Sequence, residues 1–316
     1  MADKKIIAVC GATGAQGGGL ARAILNDASG EFALRALTRD PGKDAAKALA
    51  AAGADVVHAD LDDEASLESA FAGAYGAYCL TNFWEHFSGE KETVQGGNLA
   101  RACASAGVQH AIWSTFEDTR DYIPLDDDRM PTLQGTYKVA HFDAKADADH
   151  VFTDAGVPTT FLYTSFYWEN FIFFGLGPQR GEDGVLAITY PMGDKKLPSI
   201  AVEDIGKCVY GLFKRGGEFV GKTVGVAGGQ PTGAEIAAAF TKALGQEVRY
   251  NDVPADVFRS FGFPGADDVG NMFQFKRDFE DVYCGHRPVD FSRSLNPELQ
   301  SLDQWMAANI SRVPIS

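Results

Sequence analysis

The stretch Gly11-Ala12-Thr13-Gly14-Ala15-Gln16-Gly17 constrains this chain more than any other. Lys5-Ile6-Ile7-Ala8-Val9-Cys10 before it has the apolar, β-branched content of a buried strand, and Leu20, Ala21, Ile24 and Leu25 after it recur at helical spacing. A strand that turns through glycines into a helix aims the helix's unpaired N–H groups, and the positive end of its dipole, at whatever occupies the turn. A phosphate suits that place. The glycines have separable tasks: Gly11 lets the strand turn sharply, Gly14 keeps a Cβ out of the path of a pyrophosphate, and Gly17 lets the helix lie close on the strand. The pattern reads as a dinucleotide-binding turn because it follows a strand and opens a helix. In a chain of 35 glycines, an ordinary glycine-rich βα turn is the plainer alternative.

Apolar runs and helical patterns alternate beyond the turn. The periodicity predicts strands at 5–10, 32–38, 55–59, 75–80, 109–114 and 158–163, with helices at 18–28, 43–52, 64–72, 90–106 and 137–155. Such alternation makes right-handed βαβ units and a Rossmann-type doubly wound parallel α/β sheet, expected over residues 1–160. Residues 161–316 are expected to form a smaller mixed α/β C-terminal lobe, with some strands rejoining the main sheet. Within it, Val185 to Thr189 is strand-like, Val202 to Phe213 is helical, and a last helix is expected near Pro297 to Ala308. The Asp-rich, polar run at 120–136 reads as a mobile surface loop.

In a doubly wound sheet ligands lie along the carboxyl ends of the strands, which turns strand ends into a candidate site. Strand two ends at Thr38-Arg39-Asp40, and Arg39 stands where an NAD-specific fold presents a carboxylate to the ribose. A guanidinium there suits a 2′-phosphate, so the reading is NADP; the alternative is a solvated loop arginine beside Asp40 and Lys43. Strand three ends at Asp60-Leu61-Asp62-Asp63, where the Asp60 side chain and the Leu61 backbone can meet an adenine, while Asp62 or Asp63 caps the next helix. Strand four ends at Thr81-Asn82-Phe83-Trp84, small polar groups for the ribose and pyrophosphate followed by aromatics that wall a cleft or pack in the core. Ser114 and Thr115 end strand five, where their hydroxyls can cap the following turn.

Composition narrows the partners. The 45% apolar and 22% charged content is ordinary for a globular protein, but a net charge of −15 repels nucleic acid and points to small molecules or proteins. Five scattered cysteines have no metal-like spacing, and their odd number excludes a full disulfide framework. No run approaches the ~18 apolar residues of a membrane span, and Met1-Ala-Asp-Lys-Lys5 leads into a strand without a signal-peptide core; a cytoplasmic protein is expected.

Gly11 to Gly18, Thr38-Arg39, Thr81-Asn-Phe-Trp84, Ala140-His-Phe-Asp-Ala-Lys145, Tyr167-Trp-Glu-Asn170, Phe261 to Phe273 and Leu302-Asp-Gln-Trp305 together resemble the NmrA-like family of atypical short-chain dehydrogenase/reductases, in particular its HSCARG-type NADPH-sensor branch. The likeness covers nearly the whole chain. It implies NADP(H) held by Gly11, Thr13, Gly14, Ala15, Gln16 and Gly17, with Lys145 positioning the ribose and nicotinamide, and Tyr167, Trp168, Glu169 and Asn170 lining the nicotinamide end. It also implies binding without obvious turnover, a protein partner, and a homodimer.

Short-chain reductases use a tyrosine acid with a lysine four residues on, one helical turn away on the same face. Lys145 has His141 at that spacing, which serves as a proton relay or as a packed helix histidine. Only Tyr210 with Lys214 meets the spacing, on a helix whose apolar stripe indicates packing, so chance explains it. The favoured reading is an NADP(H)-binding redox sensor acting through a protein. The rival is an NADPH-dependent reductase of a small carbonyl, quinone or imine, with His141, Lys145 and Ser114 as its catalytic groups.

Overall fold

β1 (Lys5–Val9) has Ile7, Ala8 and Val9 fully buried, as expected for the central strand of a sheet covered on both faces. It is followed by α1 (Ala15–Asn26), β2 (Phe32–Thr38), α2 (Asp44–Ala51), β3 (Asp55–His58), α3 (Glu64–Phe71), β4 (Gly76–Cys79), α4 (Gly89–Ser105), β5 (His110–Thr115), α5 (Ala140–Asp154) and β6 (Thr159–Tyr163). The computed structural model describes residues 4–27 and 29–315; position 28, the end of the expected first helix, lies outside them, as do residues 1–3.

Later strands are β7 (Phe166–Tyr167), β8 (Gln179–Arg180), β9 (Leu186–Tyr190), β10 (Ser199–Ile200), β11 (Thr223–Gly225) and β12 (Val248–Asp252). The main sheet has seven strands in the order β11-β6-β5-β4-β1-β2-β3. β1 pairs in parallel with β2 on one side and β4 on the other, Ile7 lying opposite both Leu34 and Gly76. The strand order therefore reverses between β1 and β4, the point where doubly wound sheets leave a crevice. Leu20, Ala21 and Ile24 of α1 are buried, while Leu67, Phe71, Leu99, Phe152 and Ala148 from α3, α4 and α5 form one cluster with Ala8, Ala77 and Trp113 of the strands. Each fully buried leucine or phenylalanine in it contributes about 1.5 to 3 kcal/mol.

The chain divides into two compact units: residues 1–118, 140–163 and 205–224 form the first, and 119–139, 164–204 and 225–316 the second. Residue 160 thus lies beside one of several crossings, and most of a helix (Val202–Lys214) and most of β11 belong to the first unit. The second unit is mixed: β9 pairs in parallel with β12 and antiparallel with β8, and β7 pairs with β10. Its helices carry their own stop and start signals, such as the Thr232/Glu235 and Ser301/Gln304 capping boxes that open Gly233–Leu244 and Leu302–Asn309.

The segment expected to be a mobile surface loop is pinned instead. The buried Lys138 ammonium donates to the carbonyls of Asp127 and Met130, Asn271 donates to those of Pro131 and Lys138, and Gln274 donates to that of Arg129. Asn271 and Gln274 are buried on the helix Ala266–Asp278, so a segment of irregular backbone is satisfied by side chains far along the chain.

Candidate active site

The glycine turn is built as its spacing requires. Gly11 has φ +59°, and a Cβ on Gly17 would lie 2.4 Å from the Cys10 carbonyl oxygen and 2.5 Å from that of Gly11, so the first glycine turns the chain and the last seats α1 against β1. A Cβ on Gly14 would meet only the Gly11 oxygen, at 3.2 Å. Gly14 is also the N-cap residue of α1, where no side chain caps the helix and no acidic residue lies in the first turn. With no side-chain cap and no acidic residue there, the positive end of the helix dipole suits an anion in the turn. Thr13 and Ala15 are exposed in this turn. Gln16 reaches across the sheet: its Oε1 accepts from the Tyr78 hydroxyl at 2.5 Å and from Ser114 Oγ at 3.0 Å, which binds the helix start to the ends of β4 and β5 and gives the buried Ser114 a fixed partner.

At the end of β2, Arg39 is largely exposed and donates to Glu85, beyond β4. Glu85, then Asp60 and Asp62, raise its already high pKa, so this guanidinium sits in an acidic neighbourhood. Asp60 Oδ1 accepts from the Asp62 backbone, the Leu61 carbonyl accepts from Asn98 Nδ2, and the Asp62 carboxylate accepts from Gln95 and pairs with Lys91. Asp63, rather than Asp62, caps α3, accepting from the N–H groups of Ala65 and Ser66.

At the end of β4, Thr81 and Lys145 meet. Lys145 Nζ donates to Thr81 Oγ1 at 2.6 Å and to the Thr81 carbonyl at 3.2 Å, and lies 2.6 Å from Oε1 of Glu92. The Thr81 hydroxyl in turn donates to Glu92 Oε1 at 2.6 Å. Asn82 precedes a short turn, Phe83–Glu85, in which Phe83 is buried. His141 is buried among rings, its centroid 4.9 Å from Trp84, 5.9 Å from Phe83 and 4.7 Å from Phe142. One turn beyond Lys145, Asp149 accepts from Trp113 Nε1 at 2.7 Å. Burial of its carboxyl pushes the pKa up to about 7, with Asp118 adding to the rise and the bonds from Thr115 and Trp113 opposing it.

Sequence reasoning missed Glu92, His86 and Asp149. Glu92 follows Gly89-Glu90-Lys91 and reads as a solvated acid of a helix's first turn, yet its side chain is 0% exposed. Nothing local signals that burial.

In the second unit, Trp168 is fully buried and donates its Nε1–H to Ser199 Oγ, and both Glu169 carboxylate oxygens are engaged, one by Trp305 Nε1 and one by the Val202 backbone. Burial raises the Glu169 pKa despite these bonds. Tyr167 shares a 3.3 Å hydroxyl contact with Thr164, and Asn170 opens the short helix Asn170–Phe173. Back in the first unit, the Tyr210 hydroxyl donates to Asp27 at 2.8 Å, a structural tie within that unit that accounts for this tyrosine without chemistry.

The family model described as NmrA-like family matches residues 3–313. The chain belongs to the NmrA-like family. Among the relatives of this NmrA-like chain, the NmrA-like family domain-containing oxidoreductase FrzB of Cladobotryum sp is 29% identical over 308 residues, spanning 90% of this chain and 88% of that protein. The NmrA-like fold is similar to that of NmrA, a negative transcriptional regulator, solved in complex with NADP: TM-score 0.78, 23% identity, 96% of this chain and 95% of that one. It is also similar to Citrobacter sp. triphenylmethane reductase complexed with NADP(H): TM-score 0.74, 20% identity, 96% of this chain and 99% of that one. Among the described residues, no helix is long and apolar enough to cross a membrane.

Proposed function

We propose that this chain binds NADP(H) and works as a redox sensor that acts through a protein partner. The binding half is supported by the uncapped helix start behind Gly14, set at the point where the strand order reverses, with Arg39 at the end of the neighbouring strand. NADP in the solved NmrA complex agrees with it. The sensor half is supported by the chemistry around Lys145: its ammonium is taken up by Thr81 and Glu92, and His141, at the place of the usual tyrosine, is packed between Trp84 and Phe142. A chain without the tyrosine acid forgoes a factor of roughly 10² to 10⁴ in rate.

The second reading, an NADPH-dependent reductase, is favoured by the relatives that carry oxidoreductase and reductase names. One experiment separates the two. Purified protein should bind NADPH but consume it no faster than buffer across quinones, aldehydes, ketones and imines, with His141→Ala changing neither observation. Substrate-dependent NADPH oxidation that His141→Ala removes would make the protein a reductase with a histidine relay.

A further inference from the structure

We infer that Glu92, backed by His86, is the positioning residue for Lys145, aligning its ammonium for the ribose at the nicotinamide end of the cofactor. The inference rests on the NADP(H) reading above.

A carboxylate buried as completely as Glu92 costs several kcal/mol in desolvation and is found only where charge and hydrogen bonds compensate it. Here the compensation has a direction. Oε1 receives both the Lys145 ammonium at 2.6 Å and the Thr81 hydroxyl at 2.6 Å, so one oxygen locks the lysine and the threonine against each other. Oε2 makes no hydrogen bond among the described residues but faces Nε2 of His86 at 3.3 Å.

The tautomer of His86 follows from its other nitrogen. Nδ1 accepts the Ser88 backbone N–H at 3.1 Å, which leaves Nε2 as the ring nitrogen that carries a proton, on the side of Glu92. His86 therefore brings Nε2 to within 3.3 Å of the carboxylate, an approach whose geometry falls short of a hydrogen bond and which backs Glu92 by proximity alone.

A well-packed apolar pair would hold this site together as well as an ion pair, so stability alone does not call for a buried Glu–Lys–Thr cluster. Alignment does. A lysine ammonium ends a flexible stem with four rotatable bonds, and fixing it beforehand lowers the entropy lost when a ligand docks. The two short bonds hold Nζ in place over Trp113, whose ring centroid is 5.3 Å away, while the longest contact, 3.2 Å to the Thr81 carbonyl, is the one that a ribose hydroxyl can replace.

The test uses the whole chain and two ligands, NADPH and 2′,5′-ADP, the latter carrying the adenosine half and no nicotinamide ribose. Glu92→Gln should weaken NADPH by about tenfold and leave 2′,5′-ADP within about twofold, and the nicotinamide emission of bound NADPH should move toward that of the free cofactor. His86→Phe keeps the ion pair and the ring packing on Phe83, and should give a smaller loss confined to NADPH. Because Glu92→Gln alone exposes a buried ammonium to misfolding, the neutral pair Lys145→Met/Glu92→Gln is measured beside it; its NADPH loss should equal or exceed that of Glu92→Gln, again with 2′,5′-ADP retained. Equal loss of both ligands in these variants, or NADPH binding unchanged in Glu92→Gln, overturns the assignment. Wild-type protein that binds neither ligand overturns the NADP(H) reading itself, and the assignment with it.

Discussion

Arg39 and Asp149 show how one side chain sets a measurable preference. The pair that Arg39 makes with Glu85 is exposed and worth at most about 1 kcal/mol, so a 2′-phosphate can displace the carboxylate. Losing a charge-assisted contact costs about 1.5 to 3 kcal/mol. Arg39→Ala is therefore expected to weaken NADPH by roughly 10- to 100-fold and to leave NADH nearly unchanged in a parallel titration. Equal losses for both would remove Arg39 from the 2′-phosphate. Asp149 sets a pH preference. Its carboxyl holds its proton to about pH 7 in the native state, against an ordinary value of 3.8, so the folded chain binds the proton more tightly than the unfolded one. Native stability then declines as pH rises through that window and levels off above it. Asp149→Asn keeps an acceptor for Trp113 without the ionisation, so its urea midpoint should gain on the wild type steadily between pH 4 and pH 7 and no further. Parallel midpoints across that range would show that Asp149 ionises freely in the fold.

At the scale of the element, the turn between β1 and α1 was fully legible and the segment after β5 was not. Gly11 and Gly17 announce themselves because each answers a local steric demand, a positive φ and a close backbone approach, while Gly14 between them leaves the turn open. The same locality makes their roles separable by experiment. A valine at Gly14, where the backbone is extended and a Cβ meets only one oxygen at 3.2 Å, should leave the melting transition near wild type and abolish binding of NADPH and NADH. A valine at Gly17, with two carbonyl oxygens within 2.5 Å of the new Cβ, should collapse stability as well. Intact cofactor binding in Gly14→Val with an unchanged melt would place the site elsewhere. The 120–136 segment reads as mobile because its own residues are polar and irregular, yet Asn271 and Gln274 anchor it from more than 130 positions away. Glu92 escaped notice for a related reason, since its partners Thr81 and Lys145 come from other elements and nothing in Gly-Glu-Lys-Glu marks which acid turns inward. Strand alternation and steric spacing are written locally; burial of charge is decided by the fold.

At the scale of the molecule, the chain path decides what can be separated from what. The first unit is not complete at residue 163: it needs 205–224, whose Cys208, Val209, Leu212 and Phe213 are buried and whose Phe213 packs on His110 and Phe32. A fragment of residues 1–163 is expected to retain helical signal but to melt without cooperativity and to bind a hydrophobic dye; a sharp transition and wild-type NADPH affinity would show that the return segment is dispensable. The same path has a consequence for synthesis. β6 leaves the ribosome with one edge open, and the strand that closes it, β11, lies about 60 residues downstream. At translation speeds of roughly 5 to 20 residues per second, that edge waits about 3 to 12 seconds for its neighbour. A nascent chain is thus on view to chaperones, and to other nascent chains on the same message, for a time set by codon usage between β6 and β11, so slow codons there would lower the yield of a protein whose finished fold they do not alter.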